Sequence, residues 1–139
     1  MPLLIDLKPG EKLIINGAVI ENAGSNTKIR VLNDSNILRQ KEILADTDNV
    51  TPASRVYFCL QCAYIFPDAR PRYIAAFNEY LKDYVKACPS AASIGAEIAE
   101  AVAEGHYYQG LKAARALLKH EAKVTGTFQS TIKGACDTD

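Results

Sequence analysis

Met1-Pro-Leu-Leu-Ile-Asp-Leu-Lys-Pro-Gly-Glu-Lys-Leu-Ile-Ile-Asn-Gly-Ala-Val-Ile20 opens a run that continues to Leu44 and reads as short β-strands punctuated by turn residues. Asn16-Gly17 tolerates the positive φ angles of a type I′ turn and joins two apolar runs, 12–15 and 18–22, making it the strongest hairpin signal in the chain. Before it, Leu3–Leu7 is a first strand turned by Pro9-Gly10. After it, turn clusters at 22–26 and 33–36 bracket a fourth strand at 27–32, and 37–40 adds a fifth. Everything beyond residue 50 is a different kind of sequence, attached to this sheet.

Period two sorts the strand faces. Leu3, Ile5 and Leu7 share one face of the first strand, with Leu4, Asp6 and Lys8 opposite. In the fourth strand Ile29 and Val31 share a face, leaving Lys28, Arg30 and Leu32 on the other. The second strand is apolar on both sides at Leu13, Ile14 and Ile15, the pattern of a central strand covered twice. A sheet of this size cannot bury enough surface alone, so the C-terminal half, a second copy of the chain, or both must cover it.

The residues at 45–50 form a polar linker. Thr51-Pro52 then has the form of a helix start, Thr as N-cap and Pro at the first helical position, for a helix over 52–65 rich in apolar residues and poor in charge. Helical spacing predicts further helices over 72–88, over 90–104 with Ser90 as cap and Gly105 as stop, and over 106–123. The expected fold is therefore α+β. A small antiparallel sheet of about five strands (1–50) is followed by a bundle of about four helices (51–123) and a mobile tail (124–139), with no internal repeat.

Acidic and basic residues balance at 16 each, so the net charge is zero and no global basic excess drives non-specific nucleic-acid binding. A local basic face remains open. No basic-then-apolar leader and no run of membrane-spanning length stand in the sequence, which sets the expectation of a cytoplasmic protein whose four cysteines are reduced.

The motifs of catalysis are missing. Cys59-Leu-Gln-Cys62 lacks a second ligand pair for a structural zinc and falls in mid-helix rather than at the strand-to-helix junction of a redox centre, so it reads as two small apolar thiols on a buried face. His106 and His120 are separated by about 21 Å along one helix, too far to share a metal or substrate. No nucleophile elbow and no Gly-rich phosphate loop is present. No enzymatic activity, cofactor or metal is expected. What remains is the set of basic residues on the β region, Lys8, Lys12, Lys28, Arg30, Arg39 and Lys41. They form either an ordinary solvated face beside Asp6, Glu11, Asp34 and Glu42, or a groove for RNA phosphate. Aromatic stacking platforms are absent from residues 1–50, so an RNA site there relies on backbone, Arg and polar contacts.

Several segments together resemble the flagellin regulator family FlbT: Met1-Pro-Leu, Leu7-Lys-Pro-Gly-Glu-Lys-Leu13, Ile15-Asn-Gly-Ala-Val-Ile20, Leu32-Asn-Asp34 and Leu38-Arg-Gln-Lys-Glu-Ile-Leu44. Thr51-Pro52 with Arg55-Val-Tyr-Phe58, and Glu104-Gly-His-Tyr-Tyr108 through Arg115 to Glu121, extend the likeness to about residue 123. The resemblance implies a small cytoplasmic post-transcriptional regulator that associates with the 5′ untranslated region of flagellin mRNA and promotes its degradation or blocks its translation. The β region is also weakly similar to the carbon-storage regulator CsrA, in Gly10-Glu-Lys-Leu-Ile-Ile15 and Lys41-Glu-Ile43. CsrA-type proteins dimerise and bind RNA at the edge made by the first and last strands. That similarity points to Leu4, Asp6, Leu7 and Lys8 with Arg39, Gln40 and Lys41. Asp6-Leu7-Lys8 stands where CsrA proteins carry an Arg pair, and its carboxylate repels phosphate, so the edge draws on Lys12, Arg30 or the helices.

The residues taken forward as RNA-binding are Lys8, Lys12, Arg30, Arg39, Gln40 and Lys41. The partner expected is the flagellin mRNA leader, with a homodimer as a further expectation. The alternative is a protein-interaction module, a chaperone-like adaptor that holds flagellin or another flagellar factor through the helical half. All seven tyrosines lie in that half.

Overall fold

The structure is a computed structural model that describes residues 3–44 and 51–133, with side chains as far as residue 125. Five strands, β1 (Leu3–Leu7), β2 (Lys12–Ile15), β3 (Ala18–Glu21), β4 (Thr27–Val31) and β5 (Ile37–Arg39), precede four helices. These are α1 (Pro52–Ile65), α2 (Arg70–Ala87), α3 (Ala92–Ala103) and α4 (Tyr107–Lys133). The architecture is α+β, as the sequence pattern predicts. The linker at 45–50 and the end of the chain from 134 lie outside the described residues.

The strands divide into two small antiparallel sheets rather than one. β1 pairs with β4, and β2 lies between β3 and β5. The β2–β3 turn is the expected one: Asn16 and Gly17 have φ of 51° and 90°, the left-handed pair that a type I′ hairpin requires. Pro9-Gly10 also turns as read, with the Glu11 amide donating to the Lys8 carbonyl at 2.9 Å and Gly10 at φ 79°.

β2 is covered on both faces, by different partners. Leu13 joins Ile5 and Leu7 of β1 in a small core between the two sheets, with Ile15, Ile29, Val31 and Ile37 against it. Ile14 faces the other way and, with Leu38 opposite it on β5, enters the main core with the helices. The β1–β4 ribbon and the helical half thus supply the two covers that this sheet needs.

α1 is the axis of the helical half, packed against both α2 and α4, with Val56, Leu60 and Ala63 fully buried. Its first turn is closed locally by Thr51 and Ser54, whose side chains each bond the other's backbone amide. It is also closed from a distance. Glu121 of α4 accepts from the Thr51 hydroxyl at 2.6 Å and from the Ala53 amide at 3.1 Å, placing a carboxylate at the positive end of α1.

Helix boundaries differ from the sequence reading at three places. α2 begins at Arg70 through a 3₁₀ turn over Pro67–Ala69, because Pro71 is accommodated in the first turn, where its missing amide costs nothing. Ser90 does not cap α3. It lies in a 3₁₀ turn (Pro89–Ala91), and α3 starts at Ala92 with no side-chain cap. α4 runs to Lys133, beyond the residue 123 boundary set by the fading apolar pattern. The stop at Gly105 holds: φ there is 80°, and the Gly105 and His106 amides donate to Val102 and Ala101, a Schellman closure.

Two substitutions probe this framework. Gly17→Ala should destabilise the fold by about 2 kcal/mol in urea melts, since an L-residue is strained at that φ. The added methyl would also approach the Phe66 ring at 3.1 Å and the Ile65 carbonyl at 3.3 Å. Glu121→Ala should cost about 1–2 kcal/mol in the same assay through the lost cap on α1.

Candidate functional site

Tyr57, Gln61 and Tyr64 recur at helical spacing on α1, and all three reach the segment that follows β4. Tyr57 donates its hydroxyl to the Glu42 carbonyl at 2.6 Å. Gln61 is buried, yet both ends of its amide are used: Oε1 accepts from the Leu44 N–H at 2.8 Å and Nε2 donates to the Leu44 carbonyl at 3.0 Å. The Tyr64 hydroxyl accepts from the Ile37 N–H at 3.1 Å, and the Asn36 side-chain amide donates to the Tyr64 carbonyl at 2.9 Å. From α4, the Arg115 guanidinium donates to the Lys41 carbonyl at 3.1 Å and the Tyr108 hydroxyl donates to the Glu42 carboxylate. β5 and the turn after it are thereby strapped to α1 and α4.

The strap brings cations from the sheet beside aromatic rings from the helices. A groove of about 430 Å³ is lined by Leu3, Ser35, Ile37, Arg39, Lys41, Glu42, Tyr64 and Tyr108. Beside the Tyr64–Tyr108 pair, whose centroids are 5.7 Å apart with the rings tilted by 40°, lies a second groove of about 450 Å³. Asn36, Arg70, His106, Tyr107 and Gln109 line it together with the same two tyrosines. Arg70 is fixed there twice, by its Nε donating to the Ala63 carbonyl at 2.8 Å and by its guanidinium stacked 4.5 Å from the Tyr107 centroid. Lys112 lies 5.7 Å from the Tyr108 ring centroid. Of the nearby carboxylates, Glu42 is engaged by the Arg39 N–H and Tyr108, and Glu104 lies 3.4 Å from His106. Arg39, Lys41, Arg70 and Lys112 thus stand on this face with Glu42 and Glu104 among them, although the chain as a whole is neutral.

The basic residues singled out in the sequence fall into two places. Lys12, Arg39, Gln40 and Lys41 lie together: Leu13 pairs with Arg39, and the Gln40 side chain accepts from the Lys12 N–H at 2.6 Å. Arg39 and Lys41 are exposed and line the first groove. Arg30 belongs to the other sheet, on the exposed face of β4 opposite Leu4, where Lys28 sits 3.9 Å from the Asp6 carboxylate. Lys8 is exposed in the β1–β2 turn. Since β1 pairs with β4 and β5 with β2, the first and last strands belong to separate sheets within this chain. Leu3 of β1 nevertheless reaches the groove beside β5.

Tyr64, Tyr107, Tyr108 and Arg70 escaped the sequence reading as site residues. The sequence reading placed these tyrosines in the helical half, under the protein-interaction alternative and not among the RNA-binding residues. Residues 1–50 hold no aromatic ring, and the rings beside Arg39 and Lys41 come from α1 and α4.

Cys59 and Cys62 are both buried on α1, and burial pushes the Cys59 thiol up, away from the nucleophilic thiolate. Among the described residues no cluster of three or more His, Cys, Asp or Glu is placed to hold a metal ion, and no helix is long and apolar enough to cross a membrane. His120 sits between Tyr84 and Ser90, its Nδ1 sharing a hydrogen bond with the Tyr84 hydroxyl at 2.9 Å and its Nε2 with Ser90 Oγ at 2.8 Å. Through it, α4 is tied to α2 and to the turn that leads into α3.

Comparison with known proteins finds a match over residues 3–125 to a family described as flagellar protein FlbT. The chain is 34% identical over 141 residues to the probable flagellum biosynthesis repressor protein FlbT 1 of Bradyrhizobium diazoefficiens, covering all of this chain (100%) and 96% of that protein. It is 34% identical over 125 residues to the probable flagellum biosynthesis repressor protein FlbT of Rhodopseudomonas palustris, covering 89% of this chain and 98% of the relative. With the flagellum biosynthesis repressor protein FlbT of Caulobacter vibrioides the identity is 28% over 139 residues, or 99% of each chain. No solved structure matches.

The tyrosines of this region predict an alkaline transition. Burial, then the Glu42 hydrogen bond and charge, push the Tyr108 phenol up from 10.0 to about 12. Burial does the same to Tyr84, also to about 12. The protonated phenols are favoured by the fold, so their contribution to stability is complete below pH 10 and is lost as pH rises towards 12. Ultraviolet titration should show tyrosinate forming later in the folded chain than in urea. Tyr108→Phe should make the loss of stability across that window shallower.

Proposed function

This chain belongs to the flagellar protein FlbT family, and from that premise we propose that it is a repressor in flagellum biogenesis, acting after transcription. It binds the 5′ untranslated region of flagellin mRNA in the cytoplasm, and so blocks translation or exposes the message to decay. It has no catalytic activity of its own, and cellular nucleases carry out the decay. The names of its relatives support the repressor role.

The observation that carries the RNA reading is the juxtaposition of exposed Arg39 and Lys41 with Tyr64 and Tyr108 in one open groove. Phosphate contacts from Arg and Lys give affinity and register, and aromatic faces give bases a surface to stack on. Gln40 holds the Lys12 backbone and so keeps the cations of β2 and β5 at one end of the sheet. Lys8 and Arg30 extend the positive surface away from the groove. In this reading the Asp6 carboxylate is offset by Lys28 rather than presented alone to phosphate.

The test is a gel-shift titration of the purified protein against the 5′ leader of the organism's own flagellin mRNA, at two salt concentrations and with a scrambled leader as competitor. Specific binding that weakens with salt is expected. Arg39→Ala and Lys41→Ala should each lower affinity and reduce the slope of log K against log salt by about one. No shift at physiological salt would overturn direct RNA binding and move the reading to a protein partner, flagellin or another flagellar factor.

A further inference from the structure

The two grooves beside the Tyr64–Tyr108 pair are neighbours that have both of these residues in their walls. Cations line each: Arg39 and Lys41 the one, Arg70 the other. We propose that together they are the seat of an unpaired RNA segment, with bases stacked on Tyr64, Tyr107 and Tyr108 and phosphates held by Arg39, Lys41 and Arg70. The inference rests on the RNA-regulator reading above and adds to it the structural class of RNA and the helical residues that select it.

Three observations favour single-stranded over paired RNA. The first is chemical: a base offers its face to an aromatic ring only when it is free of its neighbours, and no ring is reached by bases inside a duplex. The second is the fixing of the rings. Tyr108 is tied through its hydroxyl to Glu42, Tyr64 through its hydroxyl to the Ile37 N–H, and Tyr107 lies under the Arg70 guanidinium. The rings are half-buried against the helical core and held in place, so a base that stacks on their open surface does so without loss of side-chain freedom. The third is the amide chemistry in the second groove. Asn36 and Gln109 stand beside the rings and can both donate to and accept from the hydrogen-bonding edge of an unpaired base. A backbone-only duplex reader has no use for such groups.

β5 and its following turn are then not a self-sufficient RNA edge. They form one bank of a groove whose other bank is helical. The positive charge of the strand attracts the RNA, and the tyrosines of α1 and α4 discriminate paired from unpaired nucleotides.

The experiment uses the full chain and a short single strand taken from the flagellin leader, substituted with 4-thiouridine, together with the same strand annealed to its complement. Ultraviolet crosslinking followed by peptide mass spectrometry reports where the strand lies without any mutation. Crosslinks in the peptides that carry Tyr64 or Tyr107 and Tyr108 are expected, together with at least tenfold weaker competition by the duplex. Arg70→Gln should lower affinity for the single strand by several-fold, and Tyr64→Ala and Tyr108→Ala roughly tenfold or more each where circular dichroism shows the variant folded. If the leader binds but the crosslinks lie elsewhere, or the duplex competes equally, the groove assignment is overturned and the regulator reading stands. If neither the leader nor the strand binds, both fall together.

Discussion

Gln61 has a polar side chain in a place that tolerates none unless it is fully paired. It lies 3% exposed in the middle of α1, and its amide meets the Leu44 peptide group at both ends. Leaving such an amide unpaired costs a few kcal/mol, so the site has a strong preference for a single arrangement of the two segments. The tyrosines one turn on either side follow the same logic. Tyr57 buries its ring and Tyr64 half-buries its own, and both spend their hydroxyls on the strap. This row of three side chains sets the distance and angle between the sheet and the helical half. Ile14 and Leu38 then meet the helical core, Arg115 reaches the Lys41 carbonyl, and Tyr108 comes to rest against Glu42.

Because the strap is held from above and the β1–β4 ribbon packs from below, β2 serves two cores at once. Leu13 and Ile14 are neighbours in sequence but point into different apolar clusters. A slip of one residue in the pairing of β2 would exchange them. The two turns flanking β2, the link from β1 at Gly10 and the hairpin at Asn16-Gly17, hold the register against such a slip through positive φ angles that few other residues adopt.

Much of this was legible in the sequence, and the reasons are local. Strands signalled by turn chemistry and a helix opened by Thr51-Pro52 depend on neighbours in the chain, so Asn16-Gly17 and the start of α1 fell where the pattern placed them. The faces of β1 and β4 followed from alternation alone, with Ile5 and Leu7 buried and Arg30 exposed. The division into two sheets was not legible, because β1 skips its sequence neighbour to pair with β4. The candidate site was half legible. The charges of Arg39 and Lys41 could be named from composition, whereas the rings beside them lie far along the chain on two different helices. Ser90 shows the same limit in reverse: a residue with good capping chemistry was drawn instead to the His120 ring, a contact that no local pattern encodes.

The cap that Glu121 places on α1 has a consequence for how the protein comes into being. α1 is the axis of the helical half, yet the carboxylate that closes its first turn is supplied from 70 residues further along the chain. During synthesis, which proceeds from the N-terminus at about 5–20 residues per second, the sheet and α1 emerge long before that carboxylate exists. The strap bonds of Tyr57, Gln61 and Tyr64 join residues already made, whereas the α1 face that packs on α4 waits exposed for that interval. The distant half of the α1 cap and the packing of α1 on α4 are therefore late contacts, made once α4 has been synthesised. A chain that ended before α4 would lack this cap, the cover on one face of α1, and Tyr108 in the wall of the groove.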